Sequence, residues 1–108
     1  MEPVYVEATI NDRLVRINKN DSMDLYSWRD CKTKPSYWFK IKPTLVIINN
    51  YKSYRFNLNK HYLLSRVVYK THHPEWDITD SSDSNVVDHI NNNSLDNRIE
   101  NLKIITQQ

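Results

Sequence analysis

Residues 86–106, VVDHINNNSLDNRIENLKIIT, decide how this chain is read. Val86-Val87-Asp88-His89-Ile90 reads as a strand and Asn91-Asn92-Asn93 as a turn. Ser94 stands where it can cap a short helical turn whose Leu95, Ile99 and Leu102 share one face. Lys103-Ile104-Ile105-Thr106 reads as a returning strand. The expectation is a two-stranded ribbon with a polar, asparagine-rich corner.

Upstream of it, Asn59 is placed to cap a helix from about His61 to His72 that stops before Pro74. Leu63, Leu64, Val67, Val68 and Thr71 fall on one helical stripe, with Arg66 and Lys70 one turn apart on the other side. Residues 77–85, DITDSSDSN, read as an acidic surface loop; the glycine and distal glutamate of a calcium loop are missing. Three β-rich runs precede the helix: 37–42, 45–48 and 51–58, the last two joined by Asn49-Asn50. Residues 4–10 and 14–17 form an expected hairpin, and the polar stretch 19–36 an irregular connection. The fold class is α+β: a β-rich N-terminal part (1–50, of unassigned role), one helix, then the ribbon, with 51–108 as the region carrying the chemistry.

Composition limits the function classes. The 108 residues suffice for one small core, and 39% apolar with 26% charged residues is ordinary for a soluble chain. No run approaches the ~18 apolar residues of a membrane span, and the N-terminus has no secretory pattern. The single cysteine, Cys31, has no internal partner, which points to an intracellular (cytoplasmic or host-nuclear) setting and a half-buried thiol. Trp28, Trp38 and Trp76 are expected at the core or its boundary. Glycine is absent, so positive-φ turns must fall to asparagine. The net charge of +2 is unevenly distributed: Trp28–His73 holds ten basic residues against Asp30 alone, while 74–108 holds seven acids against Arg98 and Lys103. That split suggests a basic surface for a polyanion and a separate acidic site able to hold a cation.

Asp88 beside His89 joins a hard oxygen ligand to a group whose unperturbed pKa of about 6.5 suits proton transfer. Phosphodiester cleavage needs such a pair: a divalent cation offsets charge at the phosphate, and a base activates water. Adjacent strand residues point to opposite faces, so both serve one site only where the strand ends or bends.

The whole string 86–106 closely resembles the HNH endonucleases of the homing type, found in phages, large DNA viruses and mobile introns: Asp-His-Ile, a short turn, Asp-Asn, then Asn-Leu and an aliphatic strand ending in Thr. The likeness extends more loosely through LLSRVVYKTHHPEWDI (63–78) and covers about 51–108. It implies a ββα-metal nuclease acting on DNA with a divalent ion, magnesium or manganese, and no other small-molecule cofactor. Asp88 would be the metal ligand and His89 the general base. Asn101 would pin the inter-strand loop and help orient the base. Asn97 would hold the Asp-Asn corner through side-chain to backbone bonds. Lys52, Arg55, Lys60, Arg66 and Lys70 are the expected phosphate contacts.

The sequence departs from that pattern in three places. Asn91-Asn92-Asn93 replaces the usual Asp-Gly-Asn, and Ser65 stands where many relatives have histidine. The family's final helix, with its second protein ligand, would fall just past Gln108, so these residues alone are expected to cut weakly or not at all. The alternatives are an inactive DNA-binding relative, or a small β-rich interaction domain in which Asp88-His89 is incidental.

Overall fold

Asparagine makes the corners that glycine usually makes. In the computed structural model, which describes residues 2–106, positive φ occurs at Asn11 (51°), Asp12 (64°), Asn49 (51°), Asn50 (69°), Asn59 (66°) and Asn92 (62°). Asn11-Asp12 joins β1 (Tyr5–Ile10) to β2 (Arg13–Asn18), and Asn49-Asn50 joins β5 (Thr44–Ile48) to β6 (Tyr51–Asn57). Two successive positive-φ residues match the twist of a tight hairpin, and short polar side chains tolerate that conformation best.

β1, β2, β3 (Asp21–Arg29) and β4 (Tyr37–Ile41) form an antiparallel four-stranded sheet in chain order. Register places Val6, Ile17, Leu25 and Ile41 in one cross-strand row and Ala8, Val15, Ser27 and Phe39 in the next. These rows make the inner face. β3 corrects the expectation of an irregular connection over 19–36. Its inward positions include Ser27, and its outward ones Tyr26 and Trp28, so the strand shows no simple apolar alternation. Aromatic packing on the outer face replaces it: Trp28 and Trp38 meet edge to face at 5.2 Å, and the Arg16 guanidinium lies over the rings of Tyr5, Tyr26 and Trp38.

Asp24 anchors that outer face. It accepts hydrogen bonds from Tyr26 (2.7 Å), Asn18 (3.0 Å) and Lys40 (3.2 Å). The Tyr26 hydroxyl above all, then Asn18 and Lys40, hold its carboxyl down at about 2 against an opposing burial effect. A depressed carboxyl favours folding while it is ionised; the contribution is complete above about pH 4 and disappears as pH falls through 2. Thermal melts between pH 5 and pH 2 should therefore show Asp24→Asn losing less stability on acidification than the parent. Parallel losses in both proteins would contradict this.

β5, β6 and β7 (His61–Leu63) form a second antiparallel sheet. α1 (Leu64–His72) follows at once. Residues 61–63, expected to be helical, pair with β6 instead. Leu63 occupies the helix N-cap with no side-chain capping bond, while Asn59 sits in the preceding turn. The helix ends before Pro74 as expected, its backbone closed by His73 N–H to Tyr69. Leu64, Val67, Val68 and Thr71 are buried on one face. Leu64, Val67 and Val68 join Ile10, Val15, Ile17, Leu25, Ile41, Phe56, Leu58, Tyr62, Ile78 and Leu102 in one apolar cluster, so the core spans both sides of residue 50. No described helix is long and apolar enough to cross a membrane.

Arg66 and Lys70 organise the loop after the helix. Arg66 donates to the carbonyls of Ile78, Asp80 and Asn85, and Lys70 to those of Pro74 and Trp76. Trp76 packs on the core boundary and donates to Asn85 Oδ1 at 2.6 Å. Beyond the loop, β8 (Val86–His89) pairs antiparallel with β9 (Leu102–Ile105), with His89 opposite Leu102 and Val87 opposite Ile104. Gln107 and Gln108 lie outside the described residues.

Candidate active site

The corner between β8 and β9 is built almost wholly from asparagine side chains. Asn101, 5% exposed, reaches back across the loop. Its Oδ1 accepts the Asn91 backbone N–H at 3.0 Å, and its Nδ2 donates to Asn91 Oδ1 and to the Asp96 carbonyl, each at 2.9 Å. Its own carbonyl accepts Ile90 N–H at 2.8 Å. Inside this clamp Asn91 and Asn93 each bond the backbone N–H two residues on, a turn chemistry that needs a short polar side chain. Asn92, between them, takes the left-handed conformation that glycine would otherwise supply.

Asp96 and Arg98 brace the loop's outer side. Arg98 donates to both Asp96 oxygens at 2.8 Å, and Asn91 Nδ2 donates to Oδ2 at 2.9 Å. The Arg98 guanidinium, then its backbone N–H and Asn91, hold the Asp96 carboxyl well below the usual carboxylate range. Asp96 is thus engaged as a strut. Ser94 donates its hydroxyl to the Lys52 carbonyl of β6, fastening the loop to the second sheet. The expected role of Ser94 as a helix cap is corrected: the only helical piece here is a single 3-10 turn, Ile99–Asn101, preceded by Arg98.

His89 is the last residue of β8 and is half-buried. Its Nε2 lies 2.8 Å from Asn97 Oδ1. An amide oxygen only accepts, so Nε2 carries the proton and Nδ1 keeps its lone pair. Asn97 is 3% exposed and thereby fixed. Its side chain meets the imidazole, where side-chain to backbone bonds were expected. The orienting contact to His89 therefore belongs to Asn97, and the loop clamp to Asn101. Sequence reasoning missed that division because both asparagines stand in similar polar surroundings; only the eight-residue return from His89 to Asn97 reveals it.

Asp88 is half-buried and takes no part in the ion pairs among the described residues. Regular alternation along β8 puts its side chain with Val86 and opposite to His89 and Val87. The chain turns at Ile90, so the two groups flank the end of the ribbon. Among the described residues no cluster of three or more His, Cys, Asp and Glu side chains is found. One free carboxylate suits a hard cation that completes its shell with water and phosphate oxygens; it makes no closed protein cage.

Of the expected phosphate contacts, Lys52 and Lys60 are exposed and Arg55 is half-buried on β6. Arg66 and Lys70 are directed at loop carbonyls, as described above.

In a comparison with known families, the HNH endonuclease family model matches residues 62–108. Residues 62–108 are similar to the HNH endonucleases. The matched HNH region begins at Tyr62, just before α1, and contains Asp88, His89, Asn97 and Asn101. Neither a curated protein nor a solved structure matches the chain. That likeness suggests a nuclease-type function in general.

Proposed function

We propose that this protein is a metal-dependent DNA endonuclease in which His89 is the general base and Asp88 the metal ligand. The observation that carries the reading is the His89–Asn97 contact, 2.8 Å from Nε2 to Oδ1. It leaves Nδ1 as the proton-accepting atom of a half-exposed imidazole. His89 takes a proton at Nδ1 from the water that attacks phosphorus, and Asn97 steadies the imidazolium through the opposite nitrogen. Asn101 holds the corner that presents both residues. The Asp88 carboxylate would seat a divalent cation, magnesium or manganese, whose chemistry is to offset charge on the phosphate and the departing oxygen. Lys52, Arg55 and Lys60 hold the backbone of the duplex through charge, which gives affinity without sequence choice. The likeness to homing-type relatives adds a viral or mobile-element setting to the proposal.

A second reading has its own support: a relative that holds DNA without cutting it. The alternation of Asp88 and His89 along β8, with no three-ligand cluster among the described residues, favours a weakly held ion. A plasmid-relaxation assay separates the two. The endonuclease reading expects nicking when magnesium or manganese is supplied in excess, abolished by chelator and strongly reduced by Asp88→Asn. Retention of DNA with no nicking under either metal would leave the binding relative in its place.

A further inference from the structure

Away from the ribbon, a cleft of about 520 Å³ opens between the inner face of the first sheet and β6. Arg13, Arg29, Lys42 and Arg55 line it together with His61, and among the described residues no Asp or Glu does. Four cations gathered without a counter-charge repel one another, and the arrangement is relieved when an anion enters. None of the ion pairs among the described residues involves these four.

Arg29 is the best-prepared of them. Its guanidinium stacks on the Phe39 ring, 4.3 Å from the centroid, which fixes the plane of the fork. Its Nε is buried with no hydrogen-bond partner. Arg13 is tied to Asn59 Oδ1 at 3.3 Å, and Asn11 Nδ2 to the Leu58 carbonyl at 2.8 Å. These two bonds lock the β1–β2 corner to the β6–β7 turn and set the width of the cleft.

We infer that this cleft is a second nucleic-acid seat, in which Arg29, with Arg13, Lys42 and Arg55, grips a phosphodiester of the DNA strand away from the point of cutting. Guanidinium forks match phosphate oxygens in pairs, and the cavity far exceeds what a lone phosphate fills, lying within the roughly 300–1,000 Å³ of sites for larger ligands. The choice of ligand rests on the nuclease reading; the charge and shape of the cleft do not.

The test is equilibrium binding of a labelled DNA duplex to the full chain, followed by anisotropy in chelator from about 50 to 200 mM salt. The variants are Arg29→Gln, Lys42→Ala and the pair, each checked by its melting temperature. Lys42 is exposed just past the end of β4, so its replacement leaves the fold intact. The expected result is about tenfold weaker binding for the pair and a salt slope lower by about 0.9 for each phosphate that is no longer neutralised. Unchanged affinity and slope in folded variants would overturn the inference, as would parent protein that holds no duplex, or inorganic phosphate binding that depends on Arg29 while duplex binding does not. Cleft-dependent binding by a protein that nicks nothing would sink the nuclease reading alone; nicking with cleft-independent binding would sink only this one.

Discussion

His89→Ala is expected to reduce plasmid nicking by about 10²–10⁴-fold, the usual range for removing a positioned general base. The side chain is half-exposed, and its one hydrogen bond among the described residues is the contact with Asn97. Alanine there should leave the melting temperature within a few degrees, so lost activity cannot be assigned to unfolding. The Asn97 contact sharpens the test. Asn97→Ala removes the acceptor that keeps the proton on Nε2, and a fall in rate of about 10–100-fold is expected from loss of such an orienting partner. Asn97→Asp keeps an acceptor for Nε2, so its nicking rate should stay closer to the parent's than that of Asn97→Ala. A merely structural Asn97 would show no such rescue by the variant that keeps the acceptor. Nicking by His89→Ala at nearly the parent rate would remove the base from the mechanism altogether.

The parts of this fold that sequence reveals are those where one residue type answers one backbone need. With no glycine available, positive φ was expected of the asparagines at 49–50, 57, 59 and 91–93; Asn49, Asn50, Asn59 and Asn92 have it, and Asn57, Asn91 and Asn93 do not. The alternation of Tyr54, Phe56 and Leu58 and the pairing of 86–89 with 102–105 follow from period and turn chemistry in the same way. What stayed hidden depends on partners distant in the chain. β3 is a strand because Leu25 pairs across to Ile17 and Ile41, while Tyr26 and Trp28 pack on the outer face. Residues 61–63 are a strand because β6 offers an edge. Arg66 and Lys70 looked like free cations on a helix until the loop carbonyls folded over them. The cleft around Arg29 was invisible for the same reason, since β3 had to be recognised before Arg29 could be placed.

The corner that presents His89 stands or falls with Asn101. Residues 90–97 bring little apolar surface of their own; Ile90 is 53% exposed, so the loop is ordered mainly by hydrogen bonds. Asn101→Ala removes three part-buried bonds at once and leaves the Asp96 carbonyl and the Asn91 N–H without the side chain that met them. Each net bond is worth about 1 kcal/mol, so a loss of about 2–4 kcal/mol is expected for the three. For a domain of this size that is a drop in melting temperature of about 10–20 °C. The damage should be local before it is global. Amide exchange at Ile90, Asn91 and Asn101 should accelerate well below the melting point, while amides of β1–β4 stay protected. Nicking should fail over that same temperature interval, because a loosened corner no longer holds His89 against Asn97. If Asn101→Ala melts with the parent and its loop amides stay protected, the clamp has been misread; the backbone bond from Ile90 to the Asn101 carbonyl would then suffice to shape the corner.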